Sequence, residues 1–476
     1  MYIGGEWTPS SSGATYQTLN PATGAVVSDV ALGTRDDVSR ALAAARGATE
    51  TLRHMTPFER AAACYRIAEL IDARASDIAA RVTAEVGKPL REAIGEVGAA
   101  AAGFRLAGDI GKYLEGTVYP VADPRKRVFS IRQPRGVYGV ITPWNFPVNI
   151  PVEYLAPALA TGNAVVWTPA PTTGSTAALL MECIVDADIP IGAVNLVLGE
   201  GPVVGDELCG HELTDAIAFT GGADTGDIIS RRAPGKPKLL ELGGNGPSIV
   251  FGDADVAAAA EGLAGGAFFN AGQVCGATGV VFAHTSIVDE LSTRLVEAAS
   301  HQTLGDPALD TTTMGPLHSS ESAERVESDV ADSAGSGTEV LAGGFRVKGM
   351  PTDAFFAPTV VACNDLSSRL VTEETFGPVI PIVSFENYDD AISMQHGLEQ
   401  GLVASVWTKS MTTGLRAGED LRAGIVNVNE NTCYWELHLP FGGATGKRSG
   451  MGRLGGKQTL LEMTEIKTIT LNLEET

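Results

Sequence analysis

Apolar positions in the first third of the chain recur mainly at helical spacing. Thr56-Pro57-Phe58-Glu59 has the form of a capping box with proline at the first helical position, and Ile67, Leu70 and Ile71 follow at helical intervals. A second helical pattern covers residues 90–113. From Gly136 the pattern changes to short runs rich in β-branched residues at 137–141, 164–167, 194–198 and 217–219, with helix-like stretches such as 175–185 between them. Such runs read as buried strands, and their alternation with helices predicts right-handed βαβ units and a mainly parallel, doubly wound sheet. A second alternating series starts at Ser248-Ile249-Val250-Phe251 and predicts a second α/β domain, with the boundary near Gly243-Gly244. Residues 119–133 and 466–473 fit neither series: they alternate apolar and polar positions over strand length.

Bulk properties narrow the picture. A chain of 476 residues with 44% hydrophobic positions supports two or three domains with sizeable cores. No apolar run is long enough to span a bilayer, and the start lacks the charged-then-apolar order of a secretion signal. The cysteines at 64, 183, 209, 275, 363 and 433 contain no CxxC pair. That scatter argues against a disulfide framework and against a metal site, and it fits a reducing cytoplasm. With 57 acidic residues against 34 basic, the net charge is -23. A field of that sign repels nucleic acid and anionic lipid, so neither is an expected partner, and it also suits solubility at high salt.

Three residues carry the candidate chemistry. Cys275 in Phe-Phe-Asn-Ala-Gly-Gln-Val-Cys-Gly offers a thiol, the strongest side-chain nucleophile near neutral pH. Glu241 in Glu-Leu-Gly-Gly-Asn offers a carboxylate base, and Asn145 in Pro-Trp-Asn-Phe-Pro an amide that can donate to an oxyanion. Taken alone, a cysteine is more often inert packing, an asparagine a turn or cap residue, and a glutamate half of a surface ion pair. Together they point to acyl chemistry through a thioester.

These motifs, with Glu373-Glu374-Thr375-Phe376-Gly377-Pro378-Val379 and Pro440-Phe441-Gly442-Gly443, resemble the aldehyde dehydrogenase superfamily from Gly4-Gly5-Glu6-Trp7 to residues 464–473. The resemblance implies an α/β, aldehyde dehydrogenase-like fold of two doubly wound α/β domains plus a β oligomerisation arm. Residues 1–118 and 135–243 would form the dinucleotide-binding domain, 244–442 the catalytic domain, and 119–134 with 443–476 the arm of a homodimer or homotetramer. It also implies that Cys275 attacks an aldehyde, that the Asn145 amide and the Cys275 backbone N–H hold the oxyanion, and that Glu241 activates the water that releases the acid.

The cofactor implied is NAD or NADP. The GxGxxG fingerprint is missing, and Phe219, Thr220, Gly221 and Gly222 instead resemble the family's variant turn at a helix start. Ile141, Thr142, Pro143 and Trp144 would line the cleft with Leu242 and Gly243, and Glu374 and Phe376 would hold the nicotinamide ribose and ring. Thr168, Pro169, Ala170 and Pro171 would meet the adenosine ribose. The family usually has Lys in place of Thr168, and NAD-selective members often have Glu in place of Pro171. The two losses act oppositely on a 2'-phosphate, so the cofactor preference stays open.

Substrate positions depart as well. Glu153-Tyr154 stands where many relatives have Trp or Arg followed by Lys, and Leu454 stands where they have Glu. Anion-binding members carry Arg near the site; here Val274 and Glu153 do not supply it. The aromatic loop at 431–438 reads equally as packing or as substrate contact. A neutral apolar or aromatic aldehyde, or a hydroxylated one such as lactaldehyde, fits these positions best. Rival readings are a coenzyme A-acylating semialdehyde dehydrogenase, opposed by Glu241, and a dinucleotide-binding protein without chemistry, opposed by the intact trio. A cysteine-dependent ester hydrolase would need no dinucleotide.

Overall fold

Val165, Val166 and Trp167, like Ile217 and Ala218, are solvent-free although neighbouring strand residues point to opposite faces. Helices therefore cover both sides of their sheet. The computed structural model describes residues 1–334 and 338–473. Its first sheet has eight strands in the order Gly450–Met451, Lys238–Leu242, Ala216–Gly221, Val137–Thr142, Ala164–Pro169, Val194–Leu196, Tyr2–Ile3 and Glu6–Trp7. The five from Lys238–Leu242 to Val194–Leu196 are parallel. The chain builds outward from Val137–Thr142 in one direction and then returns to Ala216–Gly221 on its other side. That reversal opens a crevice at the carboxyl ends of these two strands, the usual ligand site of such sheets.

The second sheet runs Glu339–Ala342, Thr359–Ala362, Val379–Phe385, Val280–His284, Pro247–Val250, Val403–Trp407 and Ile425–Val428. All its pairings are parallel except the first. It has its own core, including Val281, Phe282, Ile380 and Val406.

The helix Pro57–Ala73 starts at the capping box: Thr56 accepts from the Glu59 amide and the Glu59 carboxylate accepts from the Thr56 amide. The next long helix is Leu90–Gly111, stopping short of Tyr113. The mainly helical reading of the N-terminal third overlooks its first 31 residues. Tyr2–Ile3 and Glu6–Trp7 extend the first sheet, and Thr15–Leu19 pairs with Val26–Ala31. Two-residue strands are too short to show a period.

A separate three-stranded antiparallel sheet has Lys126–Pro134 between Val118–Tyr119 and Thr464–Asn472. Of the range 443–476 expected for the arm, Thr464–Asn472 lies in this sheet and 474–476 lie outside the described residues. Gly450–Met451 instead pairs with Lys238–Leu242, and Leu454, Leu460 and Met463 are buried in the first core. Apolar burial, which local alternation does not reveal, holds that segment to the first unit.

Candidate active site

After the helix Val256–Phe268 the chain turns through three left-handed residues, Asn270, Ala271 and Gly272, at φ 48°, 54° and 74°. That region is unfavourable for residues with a Cβ and persists where surroundings enforce it. Here Glu92 Oε2 accepts the Asn270 N–H at 3.0 Å, and Gln273 Nε2 donates to the Asn270 carbonyl at 2.9 Å. Gln273 Oε1 also accepts the His318 N–H at 2.8 Å. The fixed turn presents Val274, Cys275 and Gly276 to a cavity of about 180 Å³.

Asn145, on the loop after Val137–Thr142, reaches this turn from the first unit. Its Nδ2 donates to the Gln273 carbonyl at 2.9 Å, which sets the amide beside the cysteine loop. Its own carbonyl accepts from Lys88 Nζ at 2.8 Å. Lys88 is solvent-free, pairs with Glu96 and sits 3.6 Å from the centroid of the Phe146 ring. Glu96 Oε1 accepts the Val148 and Asn149 amides at 2.8 and 3.2 Å, satisfying the start of the helix Asn149–Thr161. One buried ion pair thus ties down both sides of Asn145. Removing half of such a pair strands a charge. Lys88→Met should therefore cost about 3–5 kcal/mol in denaturant unfolding; an unchanged midpoint would show that the pair carries no such load.

Glu241, near the end of Lys238–Leu242, lines the same cavity. It is buried, and neither carboxylate oxygen has a hydrogen-bond partner. Burial pushes its carboxyl well above the usual range, nearby Glu153 adds to this, and Arg453 opposes it. Burial likewise pushes the Cys275 thiol up, with Glu374, Glu153 and Glu241 adding their charge. Glu153 and Leu454 also line the cavity. Tyr154 does not: it is buried, and its hydroxyl meets Thr220 Oγ1 at 2.6 Å and the Phe219 carbonyl at 3.3 Å. Thr220 and Leu242, expected at the dinucleotide, line the Cys275 cavity.

The other candidates gather at the carboxyl ends of the parallel strands. Ile141 and Thr142 end one strand and Thr168 and Pro169 end its neighbour, while Ala170 and Pro171 lead into the next turn. Thr168 is buried and its hydroxyl points back to the Val140 carbonyl at 3.5 Å. Phe219 and Gly221 lie in the strand Ala216–Gly221, and Gly222 precedes the helix Ala223–Arg232. A Cβ on Gly222 would meet nothing within 4 Å, so the backbone there is open to a ligand. Gly243 differs: a Cβ would lie 2.1 Å from Glu374 Oε2, and only glycine lets that carboxylate lie against the strand end. Phe376 takes φ 48° and meets Trp144 edge-on at 5.8 Å, while Trp144 stacks on His318 at 4.0 Å. Burial lowers the His318 ring to about 4, so it is neutral in that stack. An open glycine turn at a helix start and a carboxylate across the crevice fit a dinucleotide.

The aldehyde dehydrogenase family model matches residues 7–469. The chain belongs to the aldehyde dehydrogenase family. It is 37% identical over 474 residues to the mitochondrial succinate-semialdehyde dehydrogenase of Arabidopsis thaliana, covering 98% of this chain and 88% of that one. A betaine aldehyde dehydrogenase from Staphylococcus aureus in complex with NAD+ superposes with a TM-score of 0.97 at 33% identity, over 100% of this chain and 95% of its own. An NADP-dependent enzyme from E. coli superposes at 0.96 with 34% identity, over 99% and 98%. This aldehyde dehydrogenase therefore oxidises an aldehyde to its acid with NAD or NADP.

Several residues of this dehydrogenase's site escaped the sequence reading: Lys88, Glu96, Glu92, Asn270 and Gln273. Lys88 and Glu96 look like ordinary charges near a helix start, and only their shared burial gives them away.

Three partly buried carboxyls also set a pH dependence. Glu92 is pushed up to about 7, and Glu153 and Glu374 to about 8, each chiefly by burial. From roughly pH 4 to 8 the folded chain holds protons that the unfolded chain releases, so stability falls as pH rises. The thermal midpoint should drop across that window, and Glu153→Gln should flatten the drop. A midpoint climbing through the window would contradict these assignments.

Proposed function

We propose that Cys275 is the nucleophile of this aldehyde dehydrogenase, with Asn145 as oxyanion donor and Glu241 as base. One observation carries the reading: Cys275 and Glu241, from different α/β units, line a single cavity, and the Asn145 amide hydrogen-bonds the loop that bears Cys275. Cys275, having given its proton to solvent, adds as the thiolate to the aldehyde carbon, giving a thiohemiacetal whose oxygen takes hydrogen bonds from Asn145 Nδ2 and the Cys275 N–H. NAD or NADP, held by Gly222, Gly243 and Glu374, would supply the hydride acceptor that leaves the thioester behind. Glu241 then takes a proton from water as that water attacks the thioester, releasing the acid and restoring the thiol. Because its oxygens have no partner, Glu241 is free to orient that water.

Gly221, Gly222, Gly243, Glu374 and Phe376, with residues 141–144, 168–171 and Phe219, frame the dinucleotide cleft in this proposal. Thr220 and Leu242 would act on the substrate side. Residues 1–118 with 135–243 serve the dinucleotide and 244–442 the catalytic loop. The three-stranded sheet is the assembly surface of a homodimer or homotetramer: Val118, Tyr119, Ile466 and Leu471 are exposed on it, and its outer strand edges offer unpaired backbone groups. The acidic surplus suits a salty cytoplasm. The test is joint detection of acid product and reduced dinucleotide over a panel of aldehydes with NAD and NADP. Acid appearing without reduced dinucleotide would defeat the reading.

A further inference from the structure

The lining of the Cys275 cavity offers acceptors, and the nearby cation Arg453 acts on Glu241 from outside that lining. Among the described residues that line it, the charged side chains are Glu153 and Glu241, and there is no Lys, Arg or His. Three polar atoms here are buried without a partner: Glu241 Oε1, Glu241 Oε2 and Asn149 Oδ1. All three are acceptors. The orientation of the Asn149 amide follows from its Nδ2 donating to Glu153 Oε1 at 2.6 Å, which leaves its Oδ1 without a donor. The apolar walls are aromatic, from Phe146, Phe269, Trp435 and Phe441. Trp435 and Phe441 hold each other edge-on at 5.2 Å. At about 180 Å³ the space suits a short-chain aldehyde.

We propose that this cavity takes an aldehyde bearing a protonated amino group, with Glu153 setting the charge preference. The inference rests on the reading of the Cys275 cavity as the aldehyde site. An ammonium carries three donors and no acceptor, which complements orphaned acceptors. A carboxylate-bearing aldehyde would bring its charge beside two carboxyl groups, with no Lys, Arg or His among the described lining residues to receive it. Aromatic faces add attraction for a cation that has shed part of its water. Glu153 is the discriminating residue because Glu241 is already committed to water. Its helix position also matters: Asn149, one turn earlier, holds Glu153 Oε1, so the side chain is oriented before any ligand arrives. Burial and the Glu96 charge hold the Glu153 carboxyl near 8 in the free protein, and a neighbouring ammonium restores its ionised form. The expectation of a neutral aldehyde came from the missing arginine; the carboxylate in the cavity wall moves it to a positive one.

Three aldehydes of one chain length separate the charges: 3-aminopropanal, butanal and succinate semialdehyde. With the full-length protein and its dinucleotide, kcat/KM should favour 3-aminopropanal over butanal by about tenfold or more, with succinate semialdehyde last. Glu153→Gln should narrow the first preference to within about twofold, and Glu153→Arg should lift succinate semialdehyde above 3-aminopropanal. Propylammonium should compete with 3-aminopropanal and lose about tenfold in affinity in Glu153→Gln, a binding readout independent of chemistry. Equal turnover of butanal and 3-aminopropanal, or an unchanged preference in Glu153→Gln, would overturn the proposal and leave the dehydrogenase reading standing. Silence toward all three aldehydes from folded protein would remove both.

Discussion

Cys275→Ala should lower aldehyde oxidation by about ten-thousand-fold or more, while dinucleotide binding stays near that of the parent. The size follows from what is removed: without Sγ there is no carbon–sulfur bond and no thioester to hydrolyse. Direct hydride loss from a hydrated aldehyde would be left, without covalent help. The cost to folding is small, since Cys275 is only partly buried and its side chain makes no hydrogen bond that the fold depends on. Dinucleotide binding can be followed by fluorescence titration and turnover by absorbance of the reduced form. Turnover within tenfold of the parent would eliminate Cys275 as nucleophile. Cys433 is the natural suspect in that event, because its thiol lines the same cavity. It is poorly suited: burial pushes it up to about 12, and its Sγ donates to the Gly276 and Gly266 carbonyls.

Glu241→Gln should separate the two halves of the reaction. Acylation should still give one equivalent of reduced dinucleotide per site, followed by steady turnover slowed about 10²- to 10⁴-fold. The amide keeps the shape and cannot take a proton from water. Burial raises the Glu241 carboxyl, so the base is protonated at low pH and thioester hydrolysis in the parent should climb with pH as it ionises. That limb should vanish in the variant. Stopped-flow absorbance with a quench for covalent adduct distinguishes the cases. A variant with neither burst nor adduct would place Glu241 before the thioester, at thiol activation. A variant with full steady-state turnover would remove it from the mechanism.

Legibility differed sharply between elements. The buried strands of both sheets stand out because each is apolar on both faces, a pattern few other structures need. The capping box at Thr56 could be read from four residues because its hydrogen bonds are local. Tyr2–Ile3 could not, since a partner almost two hundred residues away makes it a strand, and Glu6–Trp7 pairs in turn with it. The segment Gly450–Met451 gave no local sign of its pairing either: the edge of Lys238–Leu242 claims it. At the site, Cys275, Glu241 and Asn145 stood out through their surrounding motifs. Glu153 was noticed as a departure, yet its meaning changed when its side chain proved to share a wall with Glu241. Lys88 and Glu96 left no usable trace, because a salt bridge within a helix-start region looks the same whether it is wet or dry.

By itself the sequence determined the two α/β series, the order of motifs, the candidate trio Cys275, Glu241 and Asn145, and the use of a nicotinamide dinucleotide. Periodicity and local hydrogen bonding act over a few residues, so they are written in neighbouring positions. Only the tertiary structure decided which charges are dry, which acceptors lack donors, and which carboxyls share the cavity wall. Those properties depend on groups brought together from 57 to over 200 positions apart, such as Lys88 with Asn145 and the Gly243 carbonyl with Ser449. Dielectric and desolvation are set by everything around a group in space, and the order of residues along the chain does not record them.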